Sequence, residues 1–172
     1  MQTTENKSAP VNKFMVTTIA LLLITLLWIG GRFVFPNVPT IFAGIRPTNI
    51  GIHDGKLAPC PPSPNCVSSF SKDGEHFIAP LPYKSSAEYA MTDLKKIILS
   101  FDRSKIITET PNYLYAEFST VLMGFVDDVE FLIDEQAQVI QTRSASRLGE
   151  SDLGLNRQRI NAIGAKFAEF SK

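Results

Sequence analysis

Eighteen consecutive residues, Phe14 to Gly31, carry no charge, and Leu21-Leu22-Leu23-Ile24 and Leu26-Leu27-Trp28-Ile29 form their centre. As a helix they span about 27 Å, just under the roughly 30 Å hydrocarbon layer of a bilayer. Phe33, Val34 and Phe35 extend the apolar run while Arg32 can snorkel to the interface. The pattern predicts a transmembrane helix over 14–35 after a cytoplasmic tail over 1–13. A cleaved signal peptide is the competing reading, since Lys7 and Lys13 precede the stretch. Against it, eighteen residues is long for such a region, and Gly30-Gly31-Arg32-Phe33-Val34-Phe35-Pro36 contains no small-x-small cleavage site.

Nine of the eleven prolines then fall between Pro36 and Pro82, with Gly44, Gly51 and Gly55 among them. This composition predicts a semi-rigid tether over 36–56, ahead of a globular domain over 57–172. Around Ile41, Phe42 and Ile45 the tether is apolar enough either to lie on a membrane surface or to pack on the domain. Ser85-Ser86-Ala87-Glu88 has the form of a capping box, and the apolar positions Ala87, Ala90, Met91, Leu94, Ile97, Ile98 and Phe101 recur at helical spacing. Four strands are predicted next, over Lys105–Thr110, Tyr113–Leu122, Val126–Asp134 and Val139–Ser146, with short connections that imply an antiparallel meander. A last helix starts between Asp152 and Asn156 and carries Ile160, Ile163, Phe167 and Phe170 on one face. The expected fold is α+β, two-layered, a four-stranded antiparallel meander covered on one face by two helices.

Strand alternation sorts the polar residues between the two faces. Asp127 shares the register of Val129, Phe131 and Ile133, which puts a carboxylate inward at a strand end. Tyr113, Tyr115, Glu117, Asp128, Glu130 and Arg143 fall on the opposite face, expected to be open. A one-residue bulge near Gly124 would exchange the two faces. A buried carboxylate needs a partner, and Arg147 or Arg157 are the candidates for Asp127.

Charge changes the picture mainly by exclusion. Seventeen basic residues balance seventeen acidic ones, without a long basic run, which argues against nucleic acid as a partner. The flanking charges, Lys7 and Lys13 against Arg32 and Arg46, give only a weak orientation signal. Cys60 and Cys66 are spaced to close a small disulfide loop, stabilising by about 2 kcal/mol and less because Pro61, Pro62 and Pro64 already stiffen it. Disulfides persist outside the reducing cytoplasm, so the domain is expected outside the cytoplasm. The cysteine spacing fits neither a zinc site nor a redox pair, and no metal or cofactor is expected.

Arg143, Arg147, Arg157 and Arg159 lie within seventeen residues near the start of the last helix. Either acids answer them in a salt-bridge scaffold, or they form an anion site with the amides around Gly149 to Gly154. A hydrolase would use Ser144 or Ser146 as nucleophile, or Asp128 with Glu130 as acid–base carboxylates, yet no Gly-x-Ser-x-Gly elbow occurs and neither histidine is near in sequence.

The runs Pro64-Asn65-Cys66-Val67-Ser68-Ser69, Phe125-Val126-Asp127-Asp128-Val129-Glu130-Phe131 and Arg143-Ser144-Ala145-Ser146-Arg147-Leu148-Gly149, the last continuing through Ser151-Asp152-Leu153-Gly154 to Asn156-Arg157, resemble the domain of unknown function 1499 family from about Leu57 onward. The resemblance implies a bacterial or plastid-type domain, often exported or membrane-attached, and brings no catalytic residues; with the apolar helix and the cysteine pair, the expected location is the bacterial inner membrane, single-pass, with the domain on the periplasmic side. Its matching positions make Asn65, Cys66, Asp127, Asp128, Glu130, Arg143, Ser146, Arg147, Asp152, Asn156 and Arg157 the binding candidates. The functional expectation is a membrane-tethered binding or accessory module for an anionic small molecule, lipid headgroup or protein partner. An envelope hydrolase and a purely structural partner of another membrane protein are the alternatives.

Overall fold

In a computed structural model of the chain, which describes residues 12–36 and 38–170, the fold divides into two compact units, Met1–Val38 and Pro39–Lys172. The first contains helix α1, Lys13–Val34, whose 22 residues extend for about 33 Å. Asn12 caps it, its Oδ1 accepting from the Phe14 amide at 3.1 Å. Thr17, Thr18 and Thr25 donate to carbonyls four residues back, which satisfies their hydroxyls without water. The helix is long and apolar enough to cross a membrane, a property that signal sequences near an N-terminus share. Apart from Asn12 and Lys13, the expected cytoplasmic tail lies outside the described residues.

The second unit is α+β. Strands β1 (Ile52–His53) and β2 (Lys56–Leu57) form a small hairpin. The main sheet contains β3 (Cys66–Ser68), β4 (Leu81–Pro82), β5 (Ser104–Glu109), β6 (Tyr113–Ser119), β7 (Val126–Asp134) and β8 (Val139–Ser146). Its order is β3-β8-β7-β6-β5, and β4 also pairs with β8. The expected four-stranded meander is therefore the middle and one side of a six-stranded antiparallel sheet. Sequence periodicity misses β3 and β4 because two or three residues carry no period, and prolines surround both.

Helix α2, Ala87–Leu99, starts one residue later than the capping-box reading predicts. Ser86, not Ser85, is the cap, and its Oγ accepts from the Tyr89 amide at 3.4 Å. Helix α3, Leu155–Phe170, buries Asn156, Ile160, Ile163 and Phe167, whereas Phe170 is exposed. One core joins Met91, Leu94 and Ile98 of α2 and Ile160, Ile163 and Phe167 of α3 to Leu114, Ala116, Val129 and Phe131 of the sheet. Phe118 pairs with Asp127 and Ala116 with Val129, so no bulge near Gly124 exchanges the faces. The register shift falls in β5 instead, between Ile106 and Thr108; Ile106 packs on this core and Ile107 on the other side.

The other side of the sheet is covered. Leu57, Tyr113, Tyr115 and Leu132 form a second buried cluster with Ile50, Phe70 and Ile107 packed against it. From Pro39 onward, the Pro/Gly-rich stretch belongs to the same compact unit as the sheet. Thr40 Oγ1 donates to the Met123 carbonyl at 2.6 Å, Phe42 stacks on Phe125 with ring centroids 5.4 Å apart, and Gly44 adopts φ +67° against Arg147 and Leu148. Cys60 and Cys66 form the disulfide that closes the loop into β3, with Cα atoms 5.7 Å apart.

Gly44 is required twice over. A Cβ there would lie 2.9 Å from Arg147 Cβ and 3.1 Å from Leu148 Cγ, in a backbone conformation that L side chains resist. Gly44→Ala is expected to destabilise the second unit by roughly 2 kcal/mol or more. The check is its unfolding free energy by denaturant titration against the parent chain.

Candidate functional site

Strand β7 lies between β6 and β8 and sends carboxylates to both faces of the sheet. Asp127 and Asp128 are each 2% exposed and Glu130 fully buried. An ionised carboxylate removed from water costs several kcal/mol unless donors replace the lost hydration. Two separate clusters supply those donors.

On the helix side, Asp127 accepts from Ser146 Oγ at 2.5 Å and forms an ion pair with Arg159 Nη2. Arg159 Nη1 donates to Asn156 Oδ1 at 2.7 Å, and Ser144 Oγ donates to the same oxygen at 2.5 Å. Asn156 Nδ2 donates to Ser146 Oγ at 3.0 Å and to the Asn65 carbonyl at 2.9 Å. Asn65 Nδ2 in turn donates to the Gly149 carbonyl at 2.5 Å. Asp152 accepts from the Asn156 and Gly154 amides at 2.7 and 3.0 Å, so an internal carboxylate occupies the start of α3.

The partner of Asp127 is thus Arg159, where the sequence suggests Arg147 or Arg157. Helical spacing explains it. Asn156, Ile160 and Ile163 define the buried stripe of α3, and Arg159 flanks that stripe three residues beyond Asn156. Arg157 points elsewhere and donates to the Phe77 and Glu75 carbonyls, both at 2.7 Å.

On the second face, Arg147 is the hub. Its Nε donates to Asp128 Oδ2 at 2.9 Å, and its Nη2 to Asp128 Oδ1 at 2.6 Å and to Glu117 Oε1. Tyr115 donates its hydroxyl proton to Asp128 Oδ1 at 2.6 Å. Glu130 accepts from the Tyr113 hydroxyl at 2.8 Å, the Gly51 amide at 2.7 Å and Arg143 Nη1 at 3.2 Å. Arg46, half exposed, completes Glu117 at 2.7 Å. Burial first, and the adjoining carboxylates after it, push both tyrosine hydroxyls well above their ordinary 10.0. Burial alone would raise Glu117, but the hydrogen bonds from Arg46 and Arg147 hold it below the usual 4.5.

This face, expected to be open, is sealed by Ile50, Leu57 and the Gly51 amide, because its aromatic rings and Leu132 are apolar surface that the Pro/Gly-rich stretch can cover. Of the eleven candidates, Asn65, Asp127, Ser146, Asp152 and Asn156 meet on the helix side; Asp128, Glu130, Arg143 and Arg147 meet on the other; Cys66 is held in the disulfide and Arg157 joins neither cluster. Sequence reasoning passes over Arg46 and Gly51, which have no periodicity, and over Arg159 as the Asp127 partner, for which the Asn156/Arg159/Ile160 spacing is a usable signal.

A cleft of about 800 Å³ opens beside the hairpin, with Lys56, His53, Phe70, Ser71, Asp73 and His76 among its lining. His76 is 9% exposed; its Nδ1 lies 2.7 Å from Asp73 Oδ1 and its Nε2 3.2 Å from the Ser63 carbonyl. Both ring nitrogens face acceptors, an arrangement only the imidazolium satisfies. The Asp73 hydrogen bond accordingly raises His76 above its ordinary 6.5, the Ser63 carbonyl adding to it and burial opposing it. Among the described residues, no group of three or more His, Cys, Asp and Glu side chains is placed to hold a metal ion.

The chain belongs to the family described as "Protein of unknown function (DUF1499)", which matches residues 56–167. No curated protein matches it. The Asn65 step, the acidic strand and the arginine-bearing turn, far apart in sequence, converge on the two clusters of this fold.

Arg147→Ala removes the cation from buried Asp128 and one of two arginines from Glu117, and is expected to cost about 3–5 kcal/mol, against about 1 kcal/mol for Arg157→Ala. Denaturant unfolding of both variants tests the difference. For His76, a raised folded-state value means that its stabilisation is complete below pH 6.5 and fades as pH rises through the folded value. The melting temperature is expected to fall from pH 6 to pH 8, by less in His76→Gln, in a buffer-matched thermal series.

Proposed function

We propose that this protein is an envelope-side binding or accessory module. It is anchored through α1 as a single span in the bacterial inner membrane, with the folded unit on the periplasmic side. The apolar helix and the Cys60–Cys66 disulfide support that placement. The sequence leaves open whether the four motif arginines are scaffold or anion site; their contacts favour scaffold, since Arg143, Arg147 and Arg159 each meet a carboxylate and Arg157 meets two carbonyls.

The observation that carries the binding reading is the cleft, where Lys56 makes no ion pair among the described residues and two imidazoles stand nearby. Lys56 with His53 suits an anionic group, and Phe70 and Pro59 suit an apolar portion of the same molecule. An anionic small molecule or lipid headgroup is therefore the favoured ligand class. The hydrolase alternative gains less: Ser146 donates to Asp127 and Ser144 to Asn156, while Asp128 and Glu130 are held in ion pairs.

Native mass spectrometry of the full chain, purified in detergent, tests this reading. An anionic species is expected to copurify with the parent and with Arg157→Ala, and to be lost from Lys56→Gln. Equal retention by Lys56→Gln, or an empty parent chain, would remove the cleft as the site.

A further inference from the structure

The stretch from Thr40 to Arg46 is fixed at the end of the sheet where β6 gives way to β7. Thr40 bonds the Met123 carbonyl, Phe42 stacks on Phe125, and Gly44 abuts Leu148. With those residues facing inward, Ile41 and Ile45 point outward, 86% and 92% exposed. Leu148, beside Gly44, is 42% exposed. Five residues on in the same loop, Leu153 is 87% exposed and sits at φ +55°. Neither burial nor backbone preference explains a leucine there: its side chain is in water and its backbone in a region that favours glycine.

Four apolar side chains held outward on a buttressed rim call for an apolar partner. The covalent chain says which. Only residues 35–38 separate Val34, the end of α1, from Pro39, the start of the folded unit. Even fully extended, that connection reaches no more than about 18 Å. Ile41 is two residues beyond it, so the rim cannot leave the neighbourhood of whatever surface the helix end occupies.

We infer that Ile41, Ile45, Leu148 and Leu153 form a rim that docks into the lipid interface beside the anchor. The occupant is the bilayer, because a short connection supplies it at a fixed, high local concentration. The rim gives the folded unit a defined membrane-facing end, with the β7–β8 turn at Gln136 directed away, one strand length of about 30 Å distant. This inference rests on the reading of α1 as a retained span.

The test places the photoreactive residue p-benzoylphenylalanine singly at Ile41, Ile45, Leu153, Gln136 and Leu23 of the full chain in vesicles of phosphatidylethanolamine and phosphatidylglycerol. After irradiation, intact mass is read. Adducts one lipid heavier are expected at Leu23, and at Ile41, Ile45 and Leu153 several-fold above Gln136. Lipid adducts at Leu23, with the three rim positions no higher than Gln136, would overturn the docking while leaving the anchor intact. Rim adducts at twice the chain mass would overturn it in favour of a second copy. Absence of lipid adducts at Leu23 would overturn the anchor and the docking with it.

Discussion

Three carboxylates in one central strand set the terms for the rest of this fold. Asp127, Asp128 and Glu130 cannot reach water, so each must find cationic or hydrogen-bonding partners from other elements. Asp127 brings in α3 through Arg159, Asp128 brings in the turn after β8 through Arg147, and Glu130 brings in both Arg143 and the backbone at Gly51. Losing the arginine from any of these pairs would leave a buried carboxylate without its cation, a larger penalty than the pair's net contribution to stability. These networks accordingly specify arrangement more than they add free energy.

The arrangement also explains why the motif residues are so widely spread. Asn65 lies within the disulfide loop, and its side chain and carbonyl hold Gly149 and Asn156 at the entrance to α3. Disulfide, β3, the turn after β8 and the last helix are thus tied at one corner. On the opposite face, Arg46 and Gly51 bring the Pro/Gly-rich stretch onto Glu117 and Glu130. Because polar anchors at both ends hold that stretch over an apolar middle of Ile50, Leu57 and Tyr115, it behaves as a third layer.

Buried scaffold and exposed surface are then separable. Arg143, Arg147 and Arg159 are turned toward Glu130, Asp128 and Asp127, while Lys56 and His53 in the cleft and the side chains of Ile41, Ile45 and Leu153 are among the groups left facing water. Residues with the strongest sequence signature answer the cost of burying charge. Exposed positions such as Ile41, Ile45 and Lys56 lie outside the motif runs, and such positions rarely generate a periodic pattern.

The sequence by itself determined what local physics controls. The apolar helix follows from length and charge, helices α2 and α3 and the strands β5 to β8 from hydrophobic period, and the inward placement of Asp127 from strand alternation. It also identified that buried charge would need an arginine. Which arginine, only the tertiary structure decided, because pairing depends on how α3 lies against β8, and Arg147, Arg157 and Arg159 are equivalent as letters. The two short strands β3 and β4 and the sealing of the second face likewise arise from contacts between segments some 50 to 80 residues apart. No period within one segment encodes such contacts; they form because apolar rings and unpaired carboxylates on a finished sheet leave the rest of the chain few other places to pack.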